Sequence, residues 1–385
     1  MLERWRENDN HKLVIGLVLD DSLDTNDGVQ QYVLTIGRWL STQGHTVHYI
    51  CGQTNYRKLK NLHSISKNIQ LQFNGNALSV PLPVKRRTIQ DALRDIQFDV
   101  LHVQMPYSPF FSGRLIAWAS YDVAIVGTFH VAPYSQFANL GGRLLGYCSR
   151  NGIKRFDEVV AVSEPASSMA KNTYSINTAI LGNAFDFKRF SLPGPDNNTG
   201  VLKLLFFGRL VARKGCLDLL QALTRLDSDN LPLYQLTIAG DGPLRDMLEK
   251  YVVAHNLTAY VKFCGYIAED DKAKYFSEAD IAIFPSFSGE SFGIVLLEAM
   301  ANGRTVVLAA DNPGYKSLLK DNPQVLFKAR DVGALADKLS ELMINPKLRQ
   351  SLARTGRNIA ERYDVSVIGP SLVEYYRLAL HKRMS

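Results

Sequence analysis

The sequence predicts an α/β protein made of two doubly wound, parallel-sheet halves. Three observations predict it. At 385 residues the chain is longer than one hydrophobic core usually organises. Short, continuous apolar runs alternate with amphipathic segments, the pattern of parallel strands covered on both faces by helices. The alternation breaks at PGPDNNTG (193–200), a Pro/Gly/Asn-rich stretch that reads as a linker, and then restarts.

The first half opens with KLVIGLVLD (12–20), a buried strand, followed by GVQQYVLTIGRWLSTQG (28–44). In the latter, Val29, Val33, Ile36 and Leu40 recur at helical spacing and Gly44 supplies the stop. HTVHYICG (45–52) is the next strand, and NIQLQFNG (68–75) and LSVPLP (78–83) are strand-like. RTIQDALRDIQ (87–97) reads as a helix with Ile89, Ala92, Leu93 and Ile96 on one face. FDVLHVQ (98–104), VAIVGTFH (123–130) and EVVAVS (158–163) are further buried strands.

The second half repeats the scheme. Strands are expected at LKLLFFG (202–208), YQLTIAGDG (234–242), YVKFCG (260–265), DIAIFPS (280–286) and TVVLAA (305–310). Helices are expected at CLDLLQALTRL (216–226), PLRDMLEKYVVAHN (243–256), DKAKYFSEA (271–279) and FGIVLLEAMANG (292–303). The amphipathic VIGPSLVEYYRLALHKR (367–383) finds no partner in the second half and is expected to cross back to the first. The expected division is therefore 1–192, 200–365 and a returning helix at 366–385.

Composition narrows the function. Hydrophobic residues make up 46% and charged residues 21%, an ordinary globular balance that argues against disorder. Cys51, Cys148, Cys216 and Cys264 form no CxxC pair, so neither zinc nor a disulfide framework is indicated, and a reducing cytoplasm fits. The charged start MLERWRENDNHK lacks a signal core, and no apolar run reaches the roughly 18 residues of a membrane span. No GxGxxG, Walker A or GxSxG sequence occurs, which counts against NAD-dependent, P-loop and α/β-hydrolase enzymes. Asp227-Ser-Asp229 has the spacing of a metal site but lies in a polar stretch between a helix and a strand, where a solvated loop is the plainer reading.

The net charge is +7, and it is uneven: thirteen basic and four acidic residues lie from Arg57 to Arg155. Such a field attracts nucleic acid, anionic lipid or acidic substrates, or is only a solvated face. Lys85, Arg86 and Arg87 border the expected helix at 87–97, and Tyr107, Phe110, Phe111 and Trp118 follow, which makes a membrane contact one reading and core packing of the aromatics the other.

Candidate chemistry collects at strand ends, where ligands of doubly wound folds sit. In SGESFGIVLLEAMANG (288–303), Glu290 lies in a loop after a strand and Glu298 about two helical turns further on. The amides of Phe292, Gly293 and Ile294 begin that helix as free donors. The two acids are open to three readings: a catalytic pair, two ligand clamps, or a dipole partner and an exposed helix acid. FFGRLVARKG (206–215) places Arg209 and Lys214 at another strand end, cations suited to a diphosphate. NDGVQ (26–30) places Gly28 at a strand-to-helix turn, and TFHVAP (128–133) places His130 at a strand end.

Together with DVLHVQMPYSP, VAVSEP and IAGDGP, these stretches resemble the retaining glycosyltransferases of family 4, over about 12–376. Among members, the phosphatidylinositol mannosyltransferases are the most similar in motifs. The resemblance implies the GT-B architecture, two Rossmann-like domains facing across a cleft. It implies transfer of a hexose, mannose or glucose, from a GDP- or UDP-linked sugar, with no metal or other cofactor. By resemblance, Arg209 and Lys214 bind the donor diphosphate and Glu290 holds hydroxyls of the transferred sugar. Glu298 binds the ribose; Ser291, Phe292, Gly293 and Ile294 line the pocket; Gly28 meets the diphosphate. His130 lies near sugar and acceptor, with Gln30 and Tyr107 on the acceptor side.

The sequence also departs from the pattern. Asp27 replaces the first glycine of the usual pair, and Tyr107 stands where those mannosyltransferases carry asparagine. The expected acceptor is a membrane lipid hydroxyl of the phosphatidylinositol or diacylglycerol type, on an enzyme peripheral to the inner face of the cell membrane. A soluble or polysaccharide acceptor is the alternative. A retaining glycosidase and a nucleic-acid-binding protein are the readings from outside the class.

Overall fold

The computed structural model describes residues 11–24, 27–73, 76–132, 150–194, 200–226 and 230–384. Asp227-Ser-Asp229, the first ten residues, Cys148, and 195–199 of the linker stretch lie outside them. The chain divides into two compact units, Met1–Ala184 with Val365–Ser385, and Phe185–Asp364.

In the first unit, β1 (Val14–Leu19), β2 (Thr46–Gly52), β3 (Leu62–Ser66), β6 (Val100–Met105), β7 (Ala124–Phe129), β8 (Glu158–Ala161) and β9 (Ala179–Ile180) form one sheet. Its order is β3-β2-β1-β6-β7-β8-β9, and every pairing is parallel. β6 and β7 are buried along their whole length, which is why they read as unbroken apolar runs. Between β3 and β6, β4 (Asn68–Phe73) and β5 (Asn76–Pro81) form a separate antiparallel hairpin.

The helix Gly28–Thr42 buries Val33, Ile36 and Leu40 of the expected stripe, with Tyr32 beside them, while Val29 is only half-buried. The helix Val365–Met384 packs in this unit: Gly369 meets the Trp39 ring, and Arg383 pairs with Asp157 at 2.7 Å.

The second unit contains β10 (Leu202–Phe207), β11 (Tyr234–Ala239), β12 (Val261–Gly265), β13 (Ile281–Phe284), β14 (Val306–Ala310) and β15 (Leu326–Phe327). Its order is β12-β11-β10-β13-β14-β15, again parallel throughout. In each sheet the strand order reverses about the first strand. Those reversals fall between β1 and β6 and between β10 and β13. At such a point adjacent connections leave in opposite directions and open a crevice at the carboxyl ends.

Two expectations needed correction. The helix expected over 87–97 ends at Leu93 and buries only Ile89, with Ala92 exposed, so its apolar stripe is narrower than the spacing implied. The helix expected from Phe292 begins at Ile294, because Gly293 stands at φ 101°. A side chain there would be strained and would also strike the Tyr315 ring. The short strands β3, β9 and β15 carry too few apolar residues to announce themselves locally.

Candidate active site

The second unit brings sequence-distant charges together at its switch point. The connection after β10 carries Arg209 and then a 3₁₀ turn, Ala212–Lys214. The connection after β13 carries Ser286, Glu290 and Ser291. These are the two strands flanking the reversal.

Lys214 Nζ donates to Glu290 Oε1 at 2.7 Å, Arg213 Nη1 to the same oxygen at 3.1 Å, and Ser286 Oγ at 2.8 Å. All three donors converge on Oε1. Burial alone would raise the Glu290 carboxyl, but the Lys214 charge and hydrogen bond, the Arg213 charge and the Ser286 hydroxyl outweigh it and hold it below the ordinary range. Glu290 is therefore a carboxylate at neutral pH, suited to accept hydrogen bonds and unsuited to donate a proton.

The loop bearing Glu290 is held from behind. Asn312 Nδ2 donates to the Ser286 carbonyl at 2.7 Å, while its own Oδ1 caps Tyr315 N at 3.0 Å. Gly314 comes so near the Glu290 carbonyl that a Cβ would lie 2.4 Å from it. Arg330 stacks on Phe287 at 3.9 Å. Such support fixes the rotamer of a charged group before any ligand arrives.

Glu298 has a different environment. It is buried, and Lys272 Nζ lies 2.9 Å from its Oε1 and 2.8 Å from its Oε2. Lys272 also pairs with Glu269 at 3.1 Å, and Glu269 with Arg189 at 3.4 Å. The Phe190 and Phe207 rings lie 5.8 and 5.7 Å from the ammonium. Burial raises the Glu298 carboxyl, with Lys272 opposing and Glu269 reinforcing. Thus Glu298 is not the solvated helix acid that its position allowed. Nor do Glu290 and Glu298 share a proton-transfer partner, since each is committed to its own cations.

Arg209 is half-buried after β10; Phe292 is buried, its ring 5.3 Å from Tyr363; Gly293 caps the helix, and Ser291 and Ile294 are half-buried. Sequence reasoning missed Arg213, Ser286, Lys272 and Glu269. Arg213 was detectable as the neighbour of Lys214, and Lys272 as the cation that opens the helix following β12.

The first unit gathers the remaining candidates at the ends of β1, β6 and β7. Gly28 is the first residue of its helix, after an N-cap Asp27 that makes no side-chain cap. Gln30 is buried and donates to Asp21 Oδ2 at 3.1 Å. His130 is buried, and its Nε2 faces Gln104 Oε1 at 2.7 Å. Burial pushes its imidazole down to about 3, so it is neutral. Beneath it, His102 Nε2 meets Thr128 Oγ1 at 2.7 Å and His102 Nδ1 meets the Tyr376 hydroxyl at 2.8 Å.

Tyr107 is corrected as an acceptor contact. It is 3% exposed, its ring 5.7 Å from Phe156 and its hydroxyl against Gly152, so it offers an acceptor little surface. The aromatic membrane surface is corrected too: Phe111 is core, Trp118 is only partly exposed, and Phe110 alone of the four stands out, at 44%. Lys85, Arg86 and Arg87 are exposed, Arg87 lying 3.7 Å from Asp91. Beside their helix, at the amino ends of β1, β6 and β7, is a cavity of about 790 Å³ lined in part by Ile89, Leu93, Ile96, Leu115 and Trp118.

Two parallel-sheet units, the second with cations and a fixed carboxylate at its switch point, define a class, and comparison with known proteins identifies it. Residues 188–359 match the family described as glycosyl transferases group 1, and residues 26–189 match glycosyltransferase family 4. The chain belongs to these glycosyltransferase families and has the GT-B fold.

It is similar to the phosphatidyl-myo-inositol mannosyltransferase of Propionibacterium freudenreichii subsp. shermanii, at 28% identity over 95% of each chain. It is also similar to the protein of that description from Mycobacterium tuberculosis, at 29% identity over 94% of this chain and 96% of the other. Among solved structures, an Anabaena protein determined in complex with UDP superposes with a TM-score of 0.69, at 17% identity, covering 94% of this chain and 99% of that one.

Proposed function

We propose that the protein moves a hexose, with retention of anomeric configuration, from a GDP- or UDP-linked sugar to the hydroxyl of a phosphatidylinositol-type membrane lipid. The observation that carries the reading is the meeting of Lys214, Arg213 and Glu290 across the switch point of the second sheet. A nucleoside diphosphate sugar needs cations for the leaving diphosphate and a fixed acceptor for its sugar hydroxyls, next to one another. Arg209, Lys214 and the amides around Gly293 take the diphosphate. Glu290 takes the sugar hydroxyls and Glu298 the ribose. The binding of UDP by the Anabaena protein and the names of the two relatives support this choice of donor and acceptor classes.

In the reaction, the bond from the anomeric carbon to the phosphate oxygen breaks. The acceptor oxygen bonds to that carbon from the same face, and its proton passes to the departing phosphate oxygen. Arg209 and Lys214 stabilise the charge that develops on the diphosphate. The protein supplies no nucleophile and requires no metal.

Among the described residues no helix is long and apolar enough to cross a membrane. Attachment to the inner face of the cell membrane then rests on the exposed Lys85, Arg86 and Arg87, each contributing about 1 kcal/mol on an anionic surface. The test is a screen of GDP-mannose and UDP-glucose against a membrane lipid extract, read by mass spectrometry. A hexosylated phosphatidylinositol is the expected product. Transfer only to a soluble glycan would replace the lipid part of the reading, and donor hydrolysis without any transfer would end it.

A further inference from the structure

We infer that Gln104 is a positioning residue that holds His130 with its proton on Nε2, leaving His130 Nδ1 and Asn183 Oδ1 as a paired acceptor niche for a hydroxyl. The argument begins with register. Gln104 pairs with Thr128 across β6 and β7, so His130, two residues on, shares a face with Gln104. The same diagonal joins His102 to Thr128 one step earlier. Each polar side chain of β6 thus reaches two residues ahead along β7.

The carboxamide of Gln104 has one sensible orientation. Its Nε2 lies 3.4 Å from the His102 carbonyl, and its Oε1 lies 2.7 Å from His130 Nε2. Turned over, the carboxamide would set its oxygen against that carbonyl, two acceptors face to face. An acceptor at Oε1 requires a proton on His130 Nε2, and a neutral ring then has a bare lone pair on Nδ1. The groups around the ring keep it neutral: Tyr32 at 5.1 Å, His102 and Asn183, with no carboxylate among them.

Asn183 lies against the His130 ring, and His130 Nδ1 and Asn183 Oδ1 find no other hydrogen-bond partner among the described residues. Both side chains are more than nine-tenths buried. Two enclosed acceptors without a donor mark a place where a donor belongs. A hydroxyl is the neutral donor that serves them. That it is a sugar or acceptor hydroxyl rests on the transferase reading; the tautomer does not.

The experiment uses the full chain with ¹⁵N-labelled histidine, followed by two-bond proton–nitrogen correlation NMR from pH 5 to 8, with His130 assigned by its loss in His130→Gln. The expected wild-type spectrum is a neutral ring, protonated on Nε2, throughout. In Gln104→Glu, a near-isosteric change, the new carboxylate stabilises the imidazolium. The His130 midpoint then rises into the pH 5–8 range, and donor turnover becomes pH-dependent there with KM for the donor changed less than about twofold. Gln104→Leu releases the lock and gives mixed tautomers with turnover down at least about tenfold. Asn183→Ala leaves the tautomer unchanged.

A wild-type ring protonated on Nδ1 overturns the inference, as does an unaltered His130 signal in Gln104→Glu. Should Gln104→Leu fail to fold, the wild-type and Gln104→Glu spectra decide alone. A chain inactive on every nucleotide sugar that still shows Nε2–H would remove the transferase reading and leave the Gln104 lock standing.

Discussion

Lys214 and Glu290 leave the second sheet from β10 and β13, 76 residues apart, and meet at 2.7 Å. The sheet order places those strands side by side with their connections diverging, so the contact follows from topology as much as from charge. Side-chain exposures of 20% and 12% make it stronger than a surface ion pair, yet leave both groups reachable.

The contact predicts how substitutions divide. Glu290→Gln keeps the shape but discards the charge that Lys214 and Arg213 neutralise. Turnover is expected to fall at least about tenfold, equivalent to about 1.4 kcal/mol of transition-state stabilisation. Steady-state assays with the identified nucleotide sugar check this, and wild-type turnover would remove Glu290 from the site.

Lys214→Ala should weaken binding of the free nucleoside diphosphate as well as turnover, because the ammonium serves the diphosphate in ground and transition states alike. A loss of about tenfold in affinity, measured by calorimetry, is expected. Arg213→Ala is expected to act mainly through the orientation of Glu290, lowering turnover with little effect on nucleotide affinity.

Lys272 lies between Glu298 and Glu269 in a buried site. Lys272→Met would leave two acids facing each other without their shared cation. Removing one member of such a buried cluster costs about 3–5 kcal/mol. The expected result in urea is an earlier midpoint with an unchanged slope.

Tyr376 joins the returning helix to the first sheet through His102. Tyr376→Phe deletes the hydroxyl and leaves His102 Nδ1 buried without that partner, at a cost of about 1–3 kcal/mol in chemical unfolding.

Asp20 accepts hydrogen bonds from Ser108 N and from Ser112 N and Oγ, holding the connection after β6. Burial nevertheless pushes its carboxyl up to about 6. A carboxyl raised in the folded state binds its proton more tightly there than when unfolded. Its contribution is complete below the unfolded value near 4 and is lost as pH rises through about 6. Relative to wild type, Asp20→Asn should therefore gain stability between pH 4 and pH 7, by up to about 3 kcal/mol. A difference that does not change with pH would show that Asp20 titrates normally.

Much of the fold was legible because a parallel sheet buried on both faces writes its strands as apolar runs. β6, β7 and β14 are such strands. Strand ends were legible for the same reason, and they led to Glu290, Lys214 and His130. What stayed hidden was partnership. Nothing local in the sequence says that Lys272 lies against Glu298, 26 residues away, or that Gln104 faces His130. Nor does a basic, aromatic stretch reveal that Phe111 and Tyr107 turn inward while Phe110 turns out. Those outcomes depend on which elements pack together, and local periodicity carries no record of that.

Titration of the purified chain with UDP and with GDP tests the central claim most directly, in parallel with Lys214→Ala and Arg209→Ala. Saturable binding of at least one nucleotide, weakened about tenfold or more by either substitution, is the predicted result. No binding of either nucleotide at millimolar concentration, or affinity that neither substitution alters, would contradict it.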